Sequence, residues 1–243
     1  MSMPRKIRCL VDRVTDHGDR VYTVELKPER PIPVFLPGQF LHLTVDDFDP
    51  TGFWPESRVF SIASSPGERN HLTVAYSVKG VYTAKMEKEL CPGRVVWVKL
   101  PYGEFVVNGG GDAVLIAGGT GITAFQAFIE GLAPDHPGKV ILIYGARRPG
   151  LLLGREKIIQ KGKEDATFWT FLFAEDGYAG PEKQVPEGAV RPGRIRLDVL
   201  KDCIVSDAAV YYLAGPPTMI KAVRNDLIHL GIGEGNVRVD AWE

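Results

Sequence analysis

AVLIAGGTGITAFQAFIEGLA, residues 113–133, runs from a short apolar stretch through a glycine-rich turn into a helical pattern. A strand with no polar alternation is one covered on both faces, and its passage into a helix is the repeating unit of a helix-flanked parallel sheet. Glycines in such a turn let a backbone approach a pyrophosphate closely, and the amides and dipole at a helix start favour its charge. GGTGIT at 118–123 is neither the G-x-G-x-x-G fingerprint nor a Walker loop, because no Lys-Ser or Lys-Thr follows at the required spacing. Two readings therefore stand for it, a phosphate cradle or a turn with a purely structural role.

Downstream the alternation continues through KVILIYGA, LLLGREKIIQKG, FWTFLFA, VYYLAG and PTMIKAVRNDLIHLG. The expected fold of this half is an α/β domain with a parallel sheet. LAGPPTM at 213–219 is a second strand end running into a helix start, with Pro216 and Pro217 suited to a first helical turn. Strand C-terminal ends of a parallel sheet gather on one edge, so Gly118–Thr123 and Ala214–Pro217 are expected to line one crevice. The polar, turn-rich stretch 176–194 is expected as a loop at the sheet edge.

Upstream the grammar differs. KIRCLVDRV, RVYTVELKP, QFLHLTVDD, RVFSIAS, HLTVAYSV and RVVWVKL are β-rich segments separated by turn signals, which predicts a small antiparallel β-barrel. VYTAKMEKEL at 81–90 breaks the pattern with helical spacing and is expected to cap one end. NGGGD at 108–112 marks the change, so the chain is expected to hold two domains, 1–108 and 109–243. Within the first, RVFSIASSP places Arg58 and Phe60 on one face of an extended segment and Ser61 on the other, with Ser64 and Ser65 beyond. An arginine fork pairs with diphosphate and a nearby aromatic ring covers a flat heterocycle. The same residues would equally serve as a strand with one core Phe and a surface Arg.

Composition narrows the function classes. The 243 residues carry 29 Lys plus Arg against 30 Asp plus Glu, a net charge of -1, which leaves no electrostatic footprint for nucleic acid or anionic lipid. No apolar run reaches membrane-spanning length and MSMPRKIRCLV lacks the features of a secretory signal, so a cytoplasmic protein without membrane insertion is expected. Cys9, Cys91 and Cys203 are isolated, which argues against a disulfide framework, a zinc site or an iron-sulfur cluster; no metal is expected.

These motifs, in this order, resemble those of the ferredoxin-NADP reductase superfamily, whose members join a flavin-binding barrel to a nicotinamide-binding α/β domain. The flavin motif Arg-x-Tyr/Phe-Ser is matched by Arg58, Phe60 and Ser61. The second, a glycine followed three places later by Ser or Thr at a helix start, is matched by Gly80 and Thr83 in KGVYT. PGQF at 37–40, PYGEF at 101–105, GGTGIT and AGPP resemble further landmarks.

The resemblance implies a two-domain reductase standing alone, without an iron-sulfur cluster. It would pass hydride from NADPH or NADH to FAD, or FMN in its place, and hand electrons to an external acceptor such as ferredoxin, flavodoxin or an oxygenase component. Alternatives are an electron-transfer subunit of a larger redox complex, or a nucleotide-binding partner without turnover. By carry-over, residues Arg58–Ile62, including Val59 and Ile62, and the helix start Gly80, Val81, Tyr82 and Thr83 would hold the flavin. Phe60 would stack on its isoalloxazine and Ser61 would lie near N5 as a catalytic residue. Gly119, Thr120, Gly121, Ile122, Thr123, Ala214, Gly215 and Pro216 would hold the nicotinamide nucleotide. Asp240 and Trp242 near the C-terminus resemble the acidic and aromatic pair that covers the other flavin face, although Trp242 could instead pack the last strand. Many relatives carry Cys at the position of Ala214, a departure that would leave hydride transfer to rely on ring alignment. Arg147 or Arg148 could pair with a 2′-phosphate, LFAED at 172–176 lacks the basic residue that phosphate-selective relatives place there, and Arg191 or Arg194 could substitute, so NADH and NADPH both stay open.

Overall fold

The computed structural model describes residues 3–133, 136–176, 190–203 and 205–240. The chain divides into two compact units, Met1–Val106 with Gln126–Gly131, and Val107–Phe125 with Leu132–Glu243.

The first unit is built on six antiparallel strands, β1 (Arg5–Asp16), β2 (Val21–Pro28), β3 (Phe40–Thr44), β4 (Arg58–Ser61), β5 (Leu72–Ser77) and β6 (Val95–Tyr102), in the order β4-β3-β6-β1-β2-β5. Period-two alternation explains which way they face. Ile7, Cys9 and Val11 of β1 and Val96, Val98 and Leu100 of β6 are fully buried, while Arg8, between two of them, is exposed. The two edges of this order meet where Ala63, just past β4, donates its amide to the Thr73 carbonyl of β5 at 2.9 Å, so the sheet nearly closes on itself. Ser64 fixes the same corner by accepting from the Thr73 amide at 3.2 Å. PGQF and PYGEF come together here too, since the Gln39 side chain donates to the Gly103 carbonyl at 3.0 Å. The predicted helix is α1 (Val81–Glu89), and Tyr82, Met86 and the following Leu90 insert into the barrel core.

The second unit is a parallel sheet of six strands, β7 (Ala113–Gly118), β8 (Val140–Ala146), β9 (Phe168–Ala174), β10 (Val190–Pro192), β11 (Val210–Ala214) and β12 (Val237–Val239), in the order β10-β9-β8-β7-β11-β12. The central β7 is buried along its whole length, as its unbroken apolar sequence requires. Helices α2 (Thr123–Gly131), α3 (Arg155–Glu164) and α4 (Pro217–His229) connect the strands.

Three local expectations need correction. The expected loop at 176–194 contains β10, whose Val190–Pro192 pairs with Leu172–Ala174 of β9; residues 177–189 lie outside the described residues. LLLGREKIIQKG is not helical throughout, because Gly154 turns into the left-handed region (φ 71°) and α3 starts only after it. GGTGIT does not open the helix directly, since a 3-10 turn over Gly119–Ile122 intervenes before α2. Among the described residues no helix is long and apolar enough to cross a membrane.

Candidate functional site

The first unit assembles its candidate site from β4 and the start of α1. Arg58 opens β4 opposite Leu43, and its guanidinium lies 4.5 Å from the centroid of the Tyr82 ring in the first turn of α1. The guanidinium also donates to the Ser57 carbonyl and to a Glu56 carboxylate oxygen, each at 2.8 Å. Arg58 is thus held beside the helix start with part of its fork open to solvent, the side chain being 43% exposed. Tyr82 anchors this arrangement from below. Its hydroxyl accepts from the Val45 amide at 3.1 Å and donates to the Glu56 carbonyl at 2.9 Å, with Thr44 Oγ1 at 3.2 Å. A buried phenol needs such partners, and here they fix the two ends of the segment 46–56 that leads into β4.

The start of α1 has no side-chain cap. Gly80 occupies the N-cap position, while Thr83 Oγ1 accepts the Lys79 and Gly80 amides at 2.9 and 3.0 Å and donates to the Gly80 carbonyl. The amides of the first turn, Val81 to Thr83, are the donors that a helix leaves without an intrahelical partner. A Cβ on Gly80 would meet nothing within 4 Å, and Val81 is 91% exposed. Open space, uncapped amides, an exposed apolar side chain and a guanidinium are the donor set and room that a flavin diphosphate requires, so these residues fit the cofactor that the resemblance implies.

The remaining first-unit residues divide by burial. Phe60 packs on the barrel core at 6.1 Å from the Tyr76 ring, which itself stacks on Tyr22 at 5.4 Å. Val59 is half-buried opposite His42, and Ser61 ends β4, half-buried, opposite Phe40. Ile62 is fully buried, so only its backbone is available, and its amide is taken by the Gln39 carbonyl at 3.0 Å.

In the second unit β7 and β11 are neighbours, with Ala117 in register with Ala214, so the turns that follow them meet at one sheet edge. Contact between these turns is close. A Cβ on Gly121 would lie 2.4 Å from the Ala214 carbonyl oxygen, and one on Gly118 would lie 2.4 Å from the Met219 sulfur of α4. Gly215, at φ 148°, completes the approach. Gly119 differs, since its added Cβ would meet nothing, which leaves room for a phosphate at the head of the turn. Thr123 is buried and donates to the Thr120 carbonyl at 2.8 Å, and Ile122 is buried beneath. Pro216 stands at the N-cap of α4, which also has no side-chain cap.

Ala214 is 1% exposed, so its methyl group is packed away. Asp240 is brought to the same edge by its amide, which donates to the Leu213 carbonyl at 2.9 Å; Trp242 lies outside the described residues. Arg147 and Arg148 are exposed after β8, and the Arg147 carbonyl accepts the Asp176 amide at 2.7 Å. Arg194 reaches Glu175 at 3.3 Å and Arg191 covers the Phe171 ring at 5.2 Å, so each of these two arginines has a partner within the unit.

Sequence reasoning missed Tyr144. Its hydroxyl, fully buried, donates to the Gly119 carbonyl at 3.1 Å and accepts the Leu153 amide at 3.0 Å, pinning the glycine turn from behind. Burial pushes its ionisation above the ordinary tyrosine value, so the hydroxyl keeps its proton for that bond. A tyrosine inside an all-apolar strand is the signal that could have found it.

The Oxidoreductase NAD-binding domain family matches residues 115–225. A flavohemoprotein of Rhizobium meliloti (strain 1021) is 25% identical over 250 residues, spanning 97% of this chain and 60% of its own length. Phenol 2-monooxygenase reductase component DmpP of Pseudomonas sp. (strain CF600) is 28% identical over 242 residues, spanning 97% of this chain and 65% of its own. Among solved structures, the flavohem-like FAD/NAD binding domain of nitric oxide dioxygenase from Vibrio cholerae superposes with a TM-score of 0.79 at 18% identity, covering 96% of this chain and 97% of that one, a likeness of fold. The chain thus spans less than two thirds of the length of either relative. Residues 115–225 thus match an NAD-binding oxidoreductase domain, and the nearly closed antiparallel barrel followed by a parallel sheet shares its fold with the FAD/NAD binding domain from Vibrio cholerae.

Proposed function

We propose that this chain is an FAD-dependent NAD(P)H reductase that passes electrons to an external acceptor protein or domain. The observation that carries the reading is the joint presence, in one unit, of Arg58 lying against Tyr82 and the uncapped, open start of α1. When bound, the flavin supplies the step from two-electron hydride acceptance to one-electron donation. Arg58 and the amides of Val81–Thr83 bind its diphosphate, and Phe60 with its Tyr76 neighbour forms an aromatic wall for the ring. Ser61, at the end of β4, offers a hydroxyl to the flavin N5 region.

The second unit binds the nicotinamide nucleotide. Gly119 leaves room for the pyrophosphate, the uncapped starts of the 3-10 turn and of α4 favour its charge, and Tyr144 keeps the turn in place. Ala214 shapes the edge without polarising it, and Asp240 belongs to the same end of the site. Residues 1–108 then act as the FAD-binding domain and 109–243 as the NAD(P)-binding domain. The acceptor is a ferredoxin, a flavodoxin or an oxygenase component, and the protein works in the cytoplasm.

An anaerobic titration tests the reading. Purified chain is expected to be yellow, to bind one flavin, and to bleach stoichiometrically with NADH or NADPH, the better donor fixing the nucleotide choice that Arg147, Arg148 and Glu175 leave balanced. Colourless protein that binds no added flavin would overturn it.

A further inference from the structure

The turn between β1 and β2 has a backbone that its side chains do not favour. After Gly18, Asp19 (φ 48°) and Arg20 (φ 59°) both sit in the left-handed region, which a long side chain such as arginine seldom adopts. Such a conformation persists where its surroundings fix it. Arg20 is fixed from both ends. Its carbonyl accepts the Val78 amide at 3.0 Å, and its guanidinium forks onto Glu87 of α1, Nε to Oε1 at 3.0 Å and Nη2 to Oε2 at 2.5 Å. Val78 lies just before Gly80, and Glu87 lies in the helix that Gly80 opens, so Arg20 holds both flanks of the start of α1.

Glu87 also accepts the Tyr22 hydroxyl, at 3.0 Å. Tyr22 faces Tyr76 directly across β2 and β5 with the rings stacked at 5.4 Å, and Tyr76 in turn packs against Phe60 of β4 at 6.1 Å. A continuous line of contacts therefore runs from β4, through the Phe60, Tyr76 and Tyr22 rings, to a carboxylate of α1. The guanidinium holds the Glu87 carboxyl below its ordinary value, and the carboxylate holds the Tyr22 phenol above its own, so acceptor and donor both persist at neutral pH. Arg13 and Glu25 supply a comparison within the same unit, because their ion pair joins β1 to β2 and not to the helix.

We propose that Arg20 and Glu87 are positioning residues for the flavin: acting through Tyr22, they keep the diphosphate cradle at the start of α1 in register with the aromatic wall at Phe60. A flavin spans both places, its diphosphate at one and its ring at the other. A slip between β4 and α1 would therefore tilt the ring without emptying the site, and hydride transfer depends steeply on ring alignment. The inference rests on the flavin reading of Phe60 and the α1 start, and deepens it by naming what sets the place of the ring.

The test uses the full chain loaded with FAD and whichever of NADH and NADPH reduces it faster, and follows flavin reduction by stopped flow beside the visible circular dichroism of the bound flavin. Arg20→Gly removes the guanidinium while relaxing the left-handed backbone, so its Tm is expected to stay within about 3 °C of the unmodified chain. Glu87→Ala removes the acceptor, and Tyr22→Phe removes the hydroxyl alone. Each of these variants is expected to slow flavin reduction at saturating donor by about fivefold or more and to alter the visible dichroism, with KM for the donor within about twofold. Tyr22→Phe/Glu87→Ala is expected to be no slower than the slower single variant within about twofold, because both changes cut the same line of contacts. Arg13→Ala is expected to match the unmodified chain. A smaller slowing in any of the single variants, losses that multiply in the double variant, an equal loss in Arg13→Ala, or a slowing that comes with a larger fall in Tm overturns the positioning role. An unmodified chain that binds no flavin overturns the flavin reading itself and takes the positioning role with it.

Discussion

At the start of α1 a Cβ on Gly80 would meet nothing within 4 Å, whereas in the turn after β7 a Cβ on Gly121 would sit 2.4 Å from the Ala214 carbonyl. Both glycines lie in short motifs at helix starts, and in sequence both look like phosphate loops. Their physical reasons differ. Gly80 keeps a space empty, which matters to whatever fills it; Gly121 lets two backbone turns touch, which matters to the sheet edge itself. In the glycine-rich turn, Gly119 is the counterpart of Gly80, and Gly118, Gly121 and Gly215 bring β7 and β11 ends into register with α4.

The contrast can be broken most easily at its packed end. Gly121→Ala forces a backbone shift where no flexible side chain can give way, and is expected to destabilise the second unit by about 3 kcal/mol, a fall in Tm of roughly 6–12 °C by calorimetry. An unchanged Tm would mean that the two turns do not touch. Next in size is Tyr82→Phe, which leaves the Val45 amide without its partner and frees the Glu56 carbonyl. A loss of about 1–2 kcal/mol in chemical denaturation is expected, together with weaker flavin retention as Arg58 and the segment 46–56 loosen. Gly80→Ala should do the reverse of Gly121→Ala: Tm stays unchanged, because the added methyl meets nothing, while FAD affinity falls by about fivefold, about 1 kcal/mol, as the methyl enters the cradle. Equal flavin affinity in that variant would mean that the space above α1 is not the diphosphate site.

Most of the fold was legible because its signals are local and periodic. The six barrel strands follow alternation such as Ile7, Cys9, Val11, and β7 follows an unbroken apolar run. What escaped depends on tertiary partners. Val190–Pro192 is a strand only because Leu172–Ala174 of β9 offers it an edge, and three residues carry no period of their own. The late start of α3 turns on the left-handed Gly154, and the 3-10 turn at Gly119–Ile122 on the nearness of Ala214.

At the sites, residue types were readable but division of labour was not. Arg58, Gly80 and Thr83 were singled out from spacing and resemblance. That Tyr82 would carry the Arg58 guanidinium on its ring and pin both ends of the preceding loop with one hydroxyl could not be read from KGVYT. The same holds for Tyr144 behind Gly119, and for Ile62, whose membership of the flavin segment is confined to its backbone by burial.

The most direct test of the central claim, that Arg58 and the open start of α1 bind a flavin diphosphate, is a titration of FAD into the deflavinated chain followed by flavin fluorescence, run beside Arg58→Ala. One FAD per chain is predicted for the unmodified protein, with affinity at least tenfold weaker in the variant, about 1.4 kcal/mol or more. Equal affinity in the two proteins would contradict the assignment.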